Sequence, residues 1–254
     1  MCIRDSSSTF CDQPIAGNHG EVCFFYPRAN QQALQAGEYR FSFAASSGAG
    51  LQEIQFIIRS GRALGNQKFD LNFWLALKNV PFFDQAQLDT FKVQIQQALR
   101  TRLAPYNLSP GRINFVHPAP DELESFAVIN LDSDLADCSY MIAESVTHDR
   151  ALNIGLVDEI LQGDPPIRSD VGAITSGSPG MILSSGSPHA CILIDWPKYE
   201  ADLNALAEAI IQQLIIFSGI ETKDTWQPEQ GSSIIFNREI AWRLRHHPLF
   251  YDAS

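Results

Sequence analysis

Metal and acid–base chemistry need imidazole, thiol and carboxylate groups at set spacings, and this chain has the groups without the spacings. Its six histidines, His19, His117, His148, His189, His246 and His247, form no H-x-x-x-H or H-x-H pair, so no one helix or strand offers two imidazoles to a single ion. The cysteines at 2, 11, 23, 138 and 191 contain no C-x-x-C pair, which removes a zinc knuckle or a thioredoxin-type dithiol. Asp132, Asp134 and Asp137 open like a calcium loop, but the sixth position of that loop is Asp137 rather than Gly and the twelfth is Ala143 rather than Glu, so a solvated acidic turn is expected. Ser176, Ser178, Ser184, Ser185 and Ser187 crowd one stretch without a G-x-S-x-G elbow, and nothing in the spacing sets a base beside them. His246 and His247 stand with Arg243 and Arg245 at the end of an expected helix, where positive charge suits the macrodipole.

Charge narrows the partners. The net charge of -11 and the lack of a Lys/Arg cluster argue against phosphate backbones and anionic lipid. Hydrophobic residues at 45% and charged residues at 19% describe a packed globular chain rather than a disordered one. The longest apolar run, Ile210 to Phe217, is interrupted by Gln212 and Gln213 and falls short of the roughly 20 residues that span a bilayer. Met1 to Ser8 is polar and lacks the apolar core of a signal peptide. Because Met1-Cys2-Ile3-Arg4-Asp5-Ser6 resembles translated adapter sequence, residues 1–11 are expected to be a non-native or disordered leader, with any export signal missing. The remaining Cys11, Cys23, Cys138 and Cys191 divide two and two between the halves. They suit two disulfides in an oxidising compartment or four buried thiols.

The elements that would position any site follow from periodicity. A small β module, residues 12–62, is expected from the alternation of Tyr39, Phe41 and Phe43 and of Ile54, Phe56 and Ile58 about a Ser/Gly turn. The main domain, 63–254, opens with a strand carrying Phe69, Leu71, Phe73, Leu75 and Leu77. Asp84 with Gln87 starts a helix whose apolar face is Leu88, Phe91, Ile95 and Leu99 and which Pro105 closes. Strands are expected at 113–116, 126–131 and 152–157, the last apolar enough to be covered on both faces of a mostly parallel sheet. A Gly/Ser/Pro-rich stretch from Gln162 to Pro188 leads into a strand at 190–195, read as an edge strand. Leu203, Leu206, Ile210, Leu214 and Phe217 then mark a second long helix before Gly219, and a short last helix begins at the cap Asn237 and stops before Pro248.

Three local texts carry a resemblance: Ala151-Leu152-Asn153-Ile154-Gly155-Leu156-Val157, the Val171 to Gly180 segment, and Gly186-Ser187-Pro188-His189-Ala190. With the order strand, long helix, strands, Gly/Pro-rich loop, edge strand and second long helix, the stretch from Phe69 to Tyr251 resembles secreted bacterial metzincin-like zinc peptidases. The resemblance implies a zincin-like α/β (α+β) fold, a mostly parallel sheet with two long helices plus a short C-terminal helix, to which the periodicity adds the small N-terminal β-hairpin module. It also implies H-E-x-x-H-x-x-G-x-x-H on the second long helix, where two His bind zinc, Glu acts as base and Gly turns the chain to a third His. Here those positions hold Glu208, Ala209, Gln212, Ile215 and Ser218, and every one departs from the motif. Amide and hydroxyl oxygens hold zinc poorly beside imidazole, Ala209 accepts no proton, and β-branched Ile215 disfavours the turn.

The expectation is therefore an exported, extracellular or periplasmic domain that is catalytically inactive, needs no cofactor, and serves as a binding or structural module. Its partner would be an extended peptide or protein added to the 190–195 strand, with His189, Ala190, Ile192, Ile194 and Asp195 nearest to it. The alternative is an active zinc-dependent hydrolase with non-standard ligands such as His189, Asp195 and Glu208.

Overall fold

The computed structural model describes residues 65–78, 84–135, 137, 138, 142, 151–176, 191–218, 236–247 and 249–252, and four short strands before them. Those four are β1 (Cys2–Arg4) paired with β2 (Thr9–Cys11), and β3 (Ile15–Ala16) paired with β4 (Val22–Cys23). The hairpin expected about residues 39–58 lies outside the described residues.

The domain is mixed α/β, built on a mostly parallel sheet. Its first strand, β5 (Gln67–Ala76), runs between β8 (Ala151–Val157) and β6 (Leu108–Val116), both parallel to it. Beyond β8 lies the parallel β12 (Cys191–Asp195), and beyond that the antiparallel edge strand β11 (Ala173–Ser176). A last pair of residues, β13 (Tyr251–Asp252), joins β5 antiparallel at Lys68 and Gln67.

Alternation divides the strands between two cores. Phe69, Leu71, Phe73 and Leu75 of β5, Leu152, Ile154 and Leu156 of β8, and Ile192 and Ile194 of β12 face one side. Trp74, Ala76, Val157, Cys191 and Leu193 face the other. Burial on both faces explains why β8 and β12 read as nearly continuous apolar runs, whereas β5 keeps an alternation in which the polar Asp70 and Asn72 are themselves buried.

The first face is covered by α1 (Gln85–Leu103), α3 (Leu203–Phe217) and α4 (Arg238–His246). Asp84 caps α1 by accepting from Gln87 N at 2.7 Å, Asp202 caps α3, and Asn237 caps α4 by accepting from Ile240 N at 2.9 Å. The second face is covered by α2 (Pro120–Phe126) and a three-stranded sheet of β7 (Val128–Asn130), β9 (Glu159–Gln162) and β10 (Ile167–Arg168). Gly219 lies outside the described residues, and the two long helices, the Asp84 cap of α1 and the Asn237 cap of α4 match the sequence expectations. The 126–131 strand does not: it shortens to β7 in the smaller sheet, because Pro120 at the first turn with Asp121 and Glu122 begins a helix there.

Several polar side chains inside the sheet are satisfied by one another, whereas the buried Trp74 indole N–H finds no partner among the described residues. Asn114 donates to Asn72 at 2.9 Å and Asn72 to Asn153 at 3.0 Å, a ladder across three strands in register. At the start of β5, Asp70 lies opposite a bulge in β6, where pairing passes from Phe69↔Pro110 to Leu71↔Ile113. The bulge turns Arg112 N–H to the Asp70 carboxylate at 2.7 Å, the guanidinium follows at 2.8 Å, and the Tyr251 hydroxyl donates from β13 at 2.5 Å. Gly111 is required there, since a Cβ would collide with the Asp70 carboxylate and the Tyr251 hydroxyl. Burial alone would raise the Asp70 carboxyl, but the Tyr251 and Arg112 hydrogen bonds outweigh it and hold it below the usual range. Burial and the bond to Asp70 together push the Tyr251 phenol up to about 12.

Two outcomes are expected from this packing. Leu214→Ala, in the buried face of α3, should cost about 2 to 5 kcal/mol in denaturant unfolding, and a loss below about 0.5 kcal/mol would contradict the burial. Asp70→Asn should cost about 1 to 3 kcal/mol at neutral pH. Because the folded carboxyl is depressed, its contribution is fully present above the unfolded value of about 3.9 and is lost as pH falls through the folded value. The gap between parent and variant should hold from pH 7 to about 5 and close on acidification below about 4; a gap independent of pH would refute the assignment.

Candidate functional site

The region that the sequence resemblance singles out is formed by α3, the strand before it, β12, and the edge strand β11. The five signature positions on α3 are occupied by packing and by one ion pair. Glu208 is exposed and accepts from Arg102 of α1, with Nε at 3.3 Å and NH2 at 3.2 Å. Ala209 is buried, Gln212 half-buried, and Ile215 wholly inside the first core. Ser218 is buried as the cap of α3, donating its N–H to Leu214 O at 3.0 Å, and its hydroxyl has no hydrogen-bond partner among the described residues.

Zinc is the group the resemblance implies, and these residues do not fit it. The only carboxylate of the five already faces a guanidinium, and a second cation beside Arg102 would be repelled. The remaining four positions supply a methyl, an amide, a butyl side chain and a buried hydroxyl. Among the described residues no group of three His, Cys, Asp or Glu side chains gathers where an ion would be held. Asp134 caps its own turn by accepting from Asn130 N at 2.9 Å, and Asp132 accepts from Gly163 N, 31 residues on, at 2.7 Å.

The nominated binding strand requires a correction. Strand β12 is not an edge: it pairs with β8 on one side and β11 on the other, and Cys191 through Asp195 are all buried. Ile192 and Ile194 belong to the first core, so neither they nor the strand's main chain is open to a peptide. His189 and Ala190 lie outside the described residues. The edge is β11, a strand within the stretch read from sequence as loop. Only its Ile174-Thr175 pair signals a strand, and four residues among Gly, Ser and Pro are too few to show a period.

The main chain of β11 has a defined outward side. Asp195 N donates to Gly172 O at 2.9 Å, and with Ala173↔Ile194 and Ile174↔Leu193 as partners the antiparallel alternation turns Ala173 and Thr175 away from β12. Gln213 of α3 stands at that side, donating to Ala173 O at 3.2 Å and accepting from the Thr175 hydroxyl at 2.8 Å. Its amide takes the place that an added strand would fill.

Asp195, at the end of β12, sets the entry to this edge. It is fully buried and paired with Arg168 at 3.2 Å and Lys198 at 3.4 Å, while Lys198 also donates to Val171 O at 3.1 Å and to Ser169 O. Gly172 packs so closely on the Tyr199 hydroxyl that a Cβ would collide with it, and burial with the Asp195 charge raises the Tyr199 phenol. The two carboxylates of the alternative zinc set are thus committed to different cations, Asp195 to Arg168 and Lys198, Glu208 to Arg102.

The remaining chemical candidates are structural. His246 Nδ1 lies 2.7 Å from Trp242 O with its ring 4.2 Å from the indole, and buried His247 accepts from Leu249 N at 3.1 Å. Cys11 and Cys23 fall in β2 and β4, and Cys138 and Cys191 are buried and not bridged. Searched against family models and curated proteins, the chain matches none.

Removing either carboxylate separates the roles. Glu208→Ala should change unfolding free energy by less than about 1 kcal/mol, as exposed ion pairs do. Asp195→Ala should cost more, about 1 to 3 kcal/mol, because it removes the buried carboxylate that Arg168 and Lys198 share. Equal effects in equilibrium denaturation would contradict this division.

Proposed function

We propose that the chain is a catalytically inactive, zincin-like domain that binds an extended peptide or protein segment by adding it as a strand to the outer side of β11. The observation that carries the reading is the pairing of an edge strand whose Ala173 and Thr175 main-chain groups face outward with a neighbouring helix, α3, whose signature positions are taken up by packing and by the Glu208–Arg102 ion pair. Strand addition needs only main-chain hydrogen bonds and side pockets. It therefore survives loss of the zinc ligands and of the base. The Gln213 amide, hydrogen-bonded to Ala173 O, acts as a placeholder that an entering strand displaces. The export and oxidising location follow from the same resemblance and belong to this proposal.

Two results are expected. Emission spectroscopy on chelator-free protein should show no stoichiometric zinc, and about one zinc per chain would sink the reading. Random decapeptides selected on the protein in the presence of chelator should yield binders that lose at least about tenfold in affinity on Thr175→Pro, while Thr175→Val retains them. Proline removes an outward N–H without breaking a bond to β12, so binders indifferent to it do not use this edge.

A further inference from the structure

The two buried cysteines lie on neighbouring elements of the second core. Gly155 of β8 is the register partner of Leu193 of β12, and a Cβ at Gly155 would stand 2.7 Å from Leu193 Cδ2 and 2.8 Å from Ile142 Cδ1. Ile142 and Leu193 therefore meet over the bare glycine. Cys138 lies four residues before Ile142 in the chain, its N–H bonded to Asp134 O at 2.9 Å, and Cys191 precedes Leu193 by two residues on the same strand face. Both residues are 0% exposed and belong to one cluster.

We propose that Cys138 and Cys191 are a disulfide pair, closed when the chain folds in an oxidising compartment, that ties the helical segment over the second face to the first residue of β12. The bond would anchor the strand whose far end, Asp195, holds the entry to β11. Chemically, one thiol loses its proton and attacks a low-molecular-weight disulfide, releasing one thiol from it. The second cysteine then displaces the other thiol, so two protein thiols are oxidised as one small disulfide is reduced. Burial, with the nearby Cys191 and Asp134 adding to it, pushes the Cys138 thiol up. A protonated thiol is a poor nucleophile, so closure belongs to folding and precedes enclosure of the pair.

The test uses the full chain made in an oxidising compartment and purified without reductant. Non-reducing digestion and mass spectrometry should recover a peptide linked through Cys138 and Cys191, absent in Cys138→Ala and in Cys191→Ala. Recovery of both residues as alkylated thiols after denaturation, or linked instead to Cys11 or Cys23, would overturn the proposal. Oxidised glutathione should also close the bond at least about tenfold faster during refolding of reduced chain than in native reduced protein. Equal rates would show that the two thiols are not enclosed together. Because linkage is read by mass, its failure leaves the strand-addition reading standing, and the reverse holds as well.

Discussion

Strands β5, β8 and β12 are buried on both faces, and the rest of the domain follows from that constraint. A strand covered on both sides must be apolar at nearly every position, and any polar group left inside must find its partner there. The chain meets the first demand with Phe69 through Leu75, Leu152 through Val157 and Cys191 through Ile194. Apart from the Trp74 indole N–H, it meets the second with three devices: the Asn114–Asn72–Asn153 ladder, the Asp70 site closed by Arg112 and Tyr251, and the Asp195 site closed by Arg168 and Lys198. Two of these reach across the chain and bring distant segments to the sheet, β13 to β5 and the 168–172 segment to β12.

The same constraint decides what α3 does. Its apolar face, including Ile211 and Ile215, fills the first core beside α1, and such a helix is held in place chiefly by the apolar area it removes from water. A metal helix must instead keep one stripe free for ligands and solvent, and Ile215 gives that stripe to the core. The residue whose contacts reach the sheet edge is Gln213, one step beyond the expected ligand position at Gln212. A single-residue offset on a helix is a rotation of about 100°, so Gln213 reaches β11 from a different side of α3 than Gln212.

Long periodic elements are legible in the sequence because each carries several turns of signal. The apolar repeats of α1 and α3, the Asp84 cap of α1 and the Asn237 cap of α4 place those helices to within a residue or two. Elements whose partner lies far away in the chain are not. β11 has four residues, and its identity as a strand comes from pairing with β12. β13 has two, held by β5 and by the Tyr251 bond to Asp70. The place of β12 in the sheet is hidden for the same reason, since a run such as Cys191 to Asp195 is equally apolar at an edge or inside a sheet until its neighbour is known. Asp195 stands out in the sequence as a carboxylate, yet its cations, Arg168 and Lys198, fix it as a positioning residue.

The central claim is that β11 carries a metal-independent binding edge, and amide hydrogen exchange reads that edge directly. With a selected decapeptide bound in the presence of chelator, exchange should slow at Thr175, whose N–H faces outward, while Ile174, already directed at β12, should change little. Protection confined to other segments, or appearing only when zinc is added, would contradict the account.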